Sequence, residues 1–543
     1  MTVTVSRTRG RTGSRAAGGR LTGTGAMIRL ALRRDRIKLP LWVLAITALI
    51  PRFYGAATTV VAPTPEARLE ATLMIQGSFM KVLAGPVFGD PAGTSQQYFL
   101  LAYWVEFLLA AALMTILLVT RHTRAEEQTG RAELVRAAAV GRHAQLTAAL
   151  VLALIGNAAL ALCSAAAAIA VGFPIGGALL FGASLAAAGL VFGALTAVTA
   201  QVTEHSRGAA GLAGVALAVA WILRGAGALQ SPEGGPLFWL SPLGWSQQTR
   251  VLADERWWPL GLPVLAAGLL VAAAYALAER RDLGASLVAP RPGRASAAPW
   301  VRSPFALALR LQQAAIGWWA AAFLAVGLIL GAMTGGMLTT DLPIFSAGAD
   351  LGRAWIGLMV FTGSLYTAVF AVLSVLRLRT EEVRGRSGPV LAGPTGRVTW
   401  FGASLLVTVL AVVVLLAVYG AGLGVGAAVS TGDPAYVGEV TRACLIRAPE
   451  VLVLLAVPAA LLGLAPRLLG LAWAALAYCG FVTVLGTYAG LPDWVPNTSA
   501  LSHLPWTPLG TFTPVATVVL TALAAILTAL GLYGLRRRDL ATG

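Results

Sequence analysis

Charge is what this chain has least of. Only 12% of its 543 residues are charged and 57% are hydrophobic, against roughly 25% charged in ordinary soluble domains. A chain of that balance cannot cover its apolar surface with water-facing side chains. Lysine is nearly missing: Lys38 and Lys81 are the two present, and neither stands in a GxxxxGK[ST] loop. The chain therefore has no phosphate cradle with which to use ATP itself. The three cysteines, Cys163, Cys444 and Cys479, form no CxxC pair, which argues against both a disulfide framework and a thiolate metal site. His122, His143, His205 and His503 are scattered without metal-ligand spacing, so no metal is expected. Residues 1–26, rich in Arg, Gly, Ser and Thr, precede a full-length apolar run rather than the short one of a cleavable signal, and read as a disordered basic tail.

Long apolar runs fill the remainder. A bilayer core takes about 20 apolar residues per helix, and twelve such spans can be placed, near 39–57, 98–120, 148–170, 178–200, 209–229, 259–278, 314–334, 353–376, 401–429, 448–464, 468–488 and 515–534. On that map most of the 40 Lys and Arg residues fall on the side that holds both termini, which predicts that the termini are cytoplasmic. The formal charge of +17 then reflects topology and contact with lipid headgroups, and no nucleic-acid partner is expected. The predicted fold class is all-α: a polytopic membrane protein of about 12 transmembrane helices.

Self-similarity divides those helices into two sixes. LALR at Leu30 to Arg33 returns at Leu307 to Arg310, and Trp42 matches Trp319 at the same offset. RAEEQTGR at Arg124 to Arg131 returns as RTEEVRGR at Arg379 to Arg386, with Gly141 and Arg142 matching Gly396 and Arg397 in register. Each half has an outer PLG, at Pro242 to Gly244 and Pro508 to Gly510, and closes on RDL, at Arg281 to Leu283 and Arg538 to Leu540. The expected organisation is a tail 1–26, a first six-span half 27–287, a cytoplasmic linker 288–302 and a second half 303–543. An even number of spans per half makes the repeats parallel, the arrangement of a two-fold path across a membrane.

Several segments suggest mechanism. The loop 121–147 interleaves Arg and Glu with helix formers and reads as a short charged helix. In 377–400, Gly388, Pro389 and Pro394 should end the helix by about Arg386. A matched pair of such loops suits docking of a cytoplasmic partner, where charge pairs set register. Met27 to Lys38 places Arg29, Arg33 and Arg36 opposite Met27, Leu30, Ala31 and Ile37, the pattern of an interfacial helix that Arg34 and Asp35 interrupt; 307–310 suggests a weaker copy. Segments 230–258 and 489–514, rich in Pro, Gly and Trp, read as re-entrant outer hairpins, and 58–97 as a further outer element. Glu106 is the one carboxylate well inside a span and hence a candidate for the transport path. Arg224, Arg447 and Glu450 sit near enough to span ends to snorkel.

Together the N-terminal interfacial helix, the RAEEQTGR loop with its RTEEVRGR echo and the outer PLG segments resemble the permease subunits of ABC-2-type exporters. More closely they resemble the fused twelve-span group described as exporters of polyketide antibiotics, the tetronasin-resistance-like permeases. The resemblance implies a permease for hydrophobic compounds in a bacterial cytoplasmic membrane, with no catalytic residues and no cofactor of its own. ATP and Mg would be bound by a separate nucleotide-binding ATPase subunit, in two copies. The ATPase-coupling loops it implies are Arg124, Glu126, Glu127, Gly130 and Arg131, with Arg142, and Arg379, Glu381, Glu382, Gly385 and Arg386, with Arg397. An ion-coupled secondary transporter with 6+6 repeats is the alternative, and the scarcity of embedded carboxylates argues against it. A membrane-embedded enzyme would draw on Asp254, Glu255, Asp433 and Asp493, which form no motif.

Overall fold

The computed structural model describes residues 19–539, except 77–79, 91, 131–139, 282–285, 288–295, 297, 339–350, 486–491, 493 and 505–513. Every regular element among them is a helix, as lipid requires of a chain whose backbone groups must satisfy one another within each segment. Eleven helices among the described residues are long and apolar enough to cross a bilayer. Where the eleventh of the expected spans falls, at 468–488, the described part is the 15-residue apolar helix Leu471–Leu485. The chain forms two compact units, Met1–Gly293 and Arg294–Gly543, which divide within the 288–302 stretch.

In the first unit α1 (Thr24–Asp35) turns at Arg36 and Ile37 into α2 (Lys38–Ala56). The short helices α3 (Pro65–Gln76) and α4 (Met80–Ala84) lead to α5 (Ser95–His122), and α6 (Arg124–Gln128) follows a break at Thr123. Next come α7 (Ala144–Ala170), α8 (Ile175–Val202) and α9 (Ser206–Gln230), the short helices α10 (Pro236–Trp239) and α11 (Pro242–Gln247), and α12 (Gly261–Glu279). The core lies where α5, α7 and α8 meet. Phe99, Phe107 and Phe181 pack there edge to face or tilted. Asn157 Nδ2 donates to Thr115 Oγ1 at 2.9 Å and Trp104 Nε1 to Ser184 Oγ at 3.1 Å; in an apolar setting such cross-helix hydrogen bonds fix register.

The second unit contains α13 (Pro304–Ala332), α14 (Leu351–Val383), α15 (Arg397–Thr431), α16 (Ala435–Ile446), α17 (Ala448–Leu464), α18 (Leu471–Leu485) and α19 (Pro514–Arg537). Gly327 and Gly331 of α13 face Gly422 and Gly426 of α15 so closely that a Cβ at Gly327 would lie 2.7 Å from the Tyr419 carbonyl, and one at Gly422 2.7 Å from that of Leu324. Two GxxxG stripes thus bring these backbones into direct contact.

Four expectations are corrected. Residues 19–26 are not a loose tail: the Gly141 and His143 N–H groups donate to the carbonyls of Thr22 and Arg20, and helix starts at Thr24; 1–18 lie outside the described residues. LALR at 307–310 forms no separate interfacial helix, because Ser303 caps a single 29-residue helix that runs from Pro304. The fourth span of the second half starts near Ala435 rather than 448, since α16 and α17 are joined at Arg447. Arg224, Arg447 and Glu450 do not snorkel; all three are fully buried.

Candidate functional site

The loop after the second span is built the same way in both units. In the first, the turn that follows α6 closes at Gly130, which adopts a left-handed φ of +71° while its N–H returns to the Glu127 carbonyl at 3.1 Å. In the second, α14 continues unbroken to Val383, and Gly385, with φ +67°, returns its N–H to the Glu382 carbonyl at 3.0 Å. Each glycine stops the helix three residues after the second Glu, in a conformation that other residues resist.

That second Glu points inward. Arg281 donates from Nη1 and Nη2 to the two carboxylate oxygens of Glu127, both at 2.7 Å, and each side chain is only 8% exposed. Arg124 adds a 2.6 Å bond to the same carboxylate and a 2.5 Å bond from Nε to the Ala200 carbonyl at the end of α8. In the second unit Arg538 forks onto Glu382 at 2.6 and 2.8 Å, and Arg379 approaches it at 3.2 Å. Arg142 donates to the carbonyls of Glu279 and Arg281 at 2.9 and 2.8 Å, and its repeat equivalent Arg397 donates to the Arg538 carbonyl at 2.8 Å. Three motifs separated in sequence, R-x-E-E-x-x-G, G-R and the closing R-D-L, therefore meet in one joint per unit.

The first Glu of each pair is held differently. Glu126 pairs with Arg34 of α1 at 2.6 Å, and this carboxylate raises the Arg34 guanidinium above its ordinary range. Glu381 pairs along its own helix with Arg377 at 3.0 Å. Beside the Arg34 contact, buried Asp35 binds Arg121 at 2.6 Å and His122 at 2.5 Å. The two residues that interrupt the amphipathic pattern of α1 are thus the ones that tie it to α6 and to the end of α5. Arg386 is exposed, and Arg131 lies outside the described residues.

Glu106 belongs to neither joint. Its side chain is exposed on α5 between buried Val105 and Phe107. One turn along, Leu109 and Leu113 of α5 and Leu217 and Trp221 of α9 line an apolar groove of about 400 Å³. Two buried arginines pin the segments between spans instead. Arg224 donates to the Val82 and Leu83 carbonyls at 2.6 and 2.7 Å and to Gln247 Oε1 at 3.1 Å. Arg447 holds Glu450 at 2.8 Å and the Leu501 carbonyl at 2.9 Å, while Glu450 accepts from the Leu504 N–H at 3.2 Å. Phe238, Leu243 and Gln247 are buried, so part of 230–258 packs into the first unit, while Trp257 and Trp258 are exposed. The second PLG, 508–510, lies outside the described residues.

These features define a multi-pass, all-α membrane protein whose two units share a motif-built polar joint. The chain belongs to the family described as multidrug efflux system permease Rv1217c, C-terminal domain, which matches it over residues 25–277 and 301–536. It is similar to the multidrug efflux system permease protein Rv1217c of Mycobacterium tuberculosis (strain ATCC 25618 / H37Rv), with 36% identity over 541 residues covering 96% of both chains.

Proposed function

We infer that this chain is the membrane subunit of an ATP-driven exporter of the ABC-2 type, in the fused twelve-span, tetronasin-resistance-like group. It moves hydrophobic compounds such as antibiotics or drugs outward across a bacterial cytoplasmic membrane, with both termini cytoplasmic. A separately encoded nucleotide-binding subunit, in two copies, binds ATP and Mg and docks on the loops around Glu126 to Gly130 and Glu381 to Gly385. The observation that carries this reading is the doubled joint, built to one plan in each unit, as two equivalent docking partners require. End-to-end similarity to a relative named as a multidrug efflux permease supports it.

A tagged chain extracted in mild detergent is expected to bring down a P-loop ATPase, and membrane vesicles to move ethidium on ATP with the proton gradient collapsed. Movement that follows the proton gradient without ATP, and no ATPase in the eluate, would transfer the assignment to an ion-coupled secondary transporter. In that second reading Glu106, on a span, would be the coupling carboxylate. Under the first reading Glu106, beside the apolar groove, favours lipophilic cations. Glu106→Gln should then lower ethidium efflux about tenfold, the size of one lost charge interaction, while efflux of neutral Nile red is maintained; an equal loss of both dyes would remove Glu106 from cation selection.

A further inference from the structure

We propose that Arg281 and Arg538 are positioning residues: each locks the loop after the second span of its unit to the end of the last span and the start of the third, so that the three move as one body. The consequence for transport rests on the ATP-driven reading above; the mechanical statement does not.

The geometry supports a rigid connection over a passing contact. A forked guanidinium–carboxylate pair fixes angle as well as distance, and both units have one, at 2.7 and 2.7 Å in the first and 2.6 and 2.8 Å in the second. The backbone carbonyl of the same arginine is held by Arg142 or Arg397. Side chain and main chain of one residue are thus gripped from two elements, which removes the swivel that a single ion pair leaves. Glu382 is 1% and Glu127 8% exposed, so water is poorly placed to substitute. The segments carrying the joint also differ, with a break at Thr123 in the first unit and an unbroken α14 in the second, yet the joint is the same. In the first unit Arg124 extends it to the Ala200 carbonyl, so the ends of spans two, three, four and six converge there. A partner pushing on the loop therefore displaces the last span with it.

Spin labels on the full chain, with the three native cysteines replaced, test this by pulsed electron resonance. Labels at Thr129 and Arg280 report the first joint, and labels at Arg384 and Arg536 the second. One narrow distance per pair is expected, unchanged when the chain is in complex with its ATPase and vanadate-trapped. Arg281→Gln should broaden the first distribution and leave the second narrow. Where Arg281→Gln does not accumulate, Arg281→Lys, which keeps the charge but loses the fork, should show the same broadening. A distribution that stays narrow in these single variants, or a wild-type distance that shifts on trapping, overturns the proposal. In the complex, ethidium stimulation of ATP hydrolysis should fall to nearly none in either single variant. A merely structural role would lower the yield of complex while keeping the stimulation per complex. Failure to recover any ATPase would sink the ATP-driven reading, while the labels on the chain alone still decide the joint.

Discussion

Glu126 and Glu127 are neighbours with the same chemistry and different tasks, and the same holds for Glu381 and Glu382. Glu127 and Glu382 are buried under a forked arginine, and breaking a buried pair by removing one partner costs about 3–5 kcal/mol. Glu126 and Glu381 are more exposed, at 15% and 17%, where pairs contribute about 0–1 kcal/mol. Glu127→Gln or Glu382→Gln should therefore clearly lower the thermal unfolding midpoint in detergent, while Glu126→Gln and Glu381→Gln should scarcely move it. Equal shifts for all four would show that burial does not distinguish them. Arg447 and Glu450, both fully buried, extend the argument into the span. Arg447→Met alone strands a carboxylate and should destabilise by about 3–5 kcal/mol, whereas Arg447→Met with Glu450→Met should recover most of it; a double variant as unstable as the sum of the singles would contradict this.

At the level of elements, glycine decides which helices touch. α13 and α15 meet backbone to backbone along Gly327, Gly331, Gly422 and Gly426. Gly422→Leu should separate them and greatly reduce folded protein in the membrane, whereas Gly402→Leu on the same helix, with open space around its position, should be tolerated; fluorescence-detected size exclusion reads both. The spans themselves were legible because about 20 apolar residues in a row leave little choice in lipid. The burial of Arg224 and Arg447 was not, since proximity to a span end is compatible with a head reaching water or with one capturing the carbonyls of a folded outer segment. The joints fall between these cases. Their motifs were visible in sequence, but their meeting was not, because Glu127 and Arg281 are 154 residues apart and Glu382 and Arg538 156. Only the packing of the spans between them brings each pair together. The near-equal separations were the one hint.

On the scale of the whole molecule, each unit closes on its own joint, with a core of its own and the division falling at Gly293. Two separate polypeptides cut between Gly293 and Arg294 should, when co-expressed, both insert and together support ethidium efflux at a level near that of the intact chain. Insertion of neither half without the other would show that the units do not fold independently.

Arg20 and Glu279 form an ion pair at 2.6 Å, so among the described residues the segment that leads into α1 lies beside the end of α12. Ends that close can be sewn together and the chain reopened elsewhere. The order in which its six helices are synthesised is therefore not written into the finished shape: a circularly permuted gene, reopened in another turn on the same face of the membrane, describes the same object.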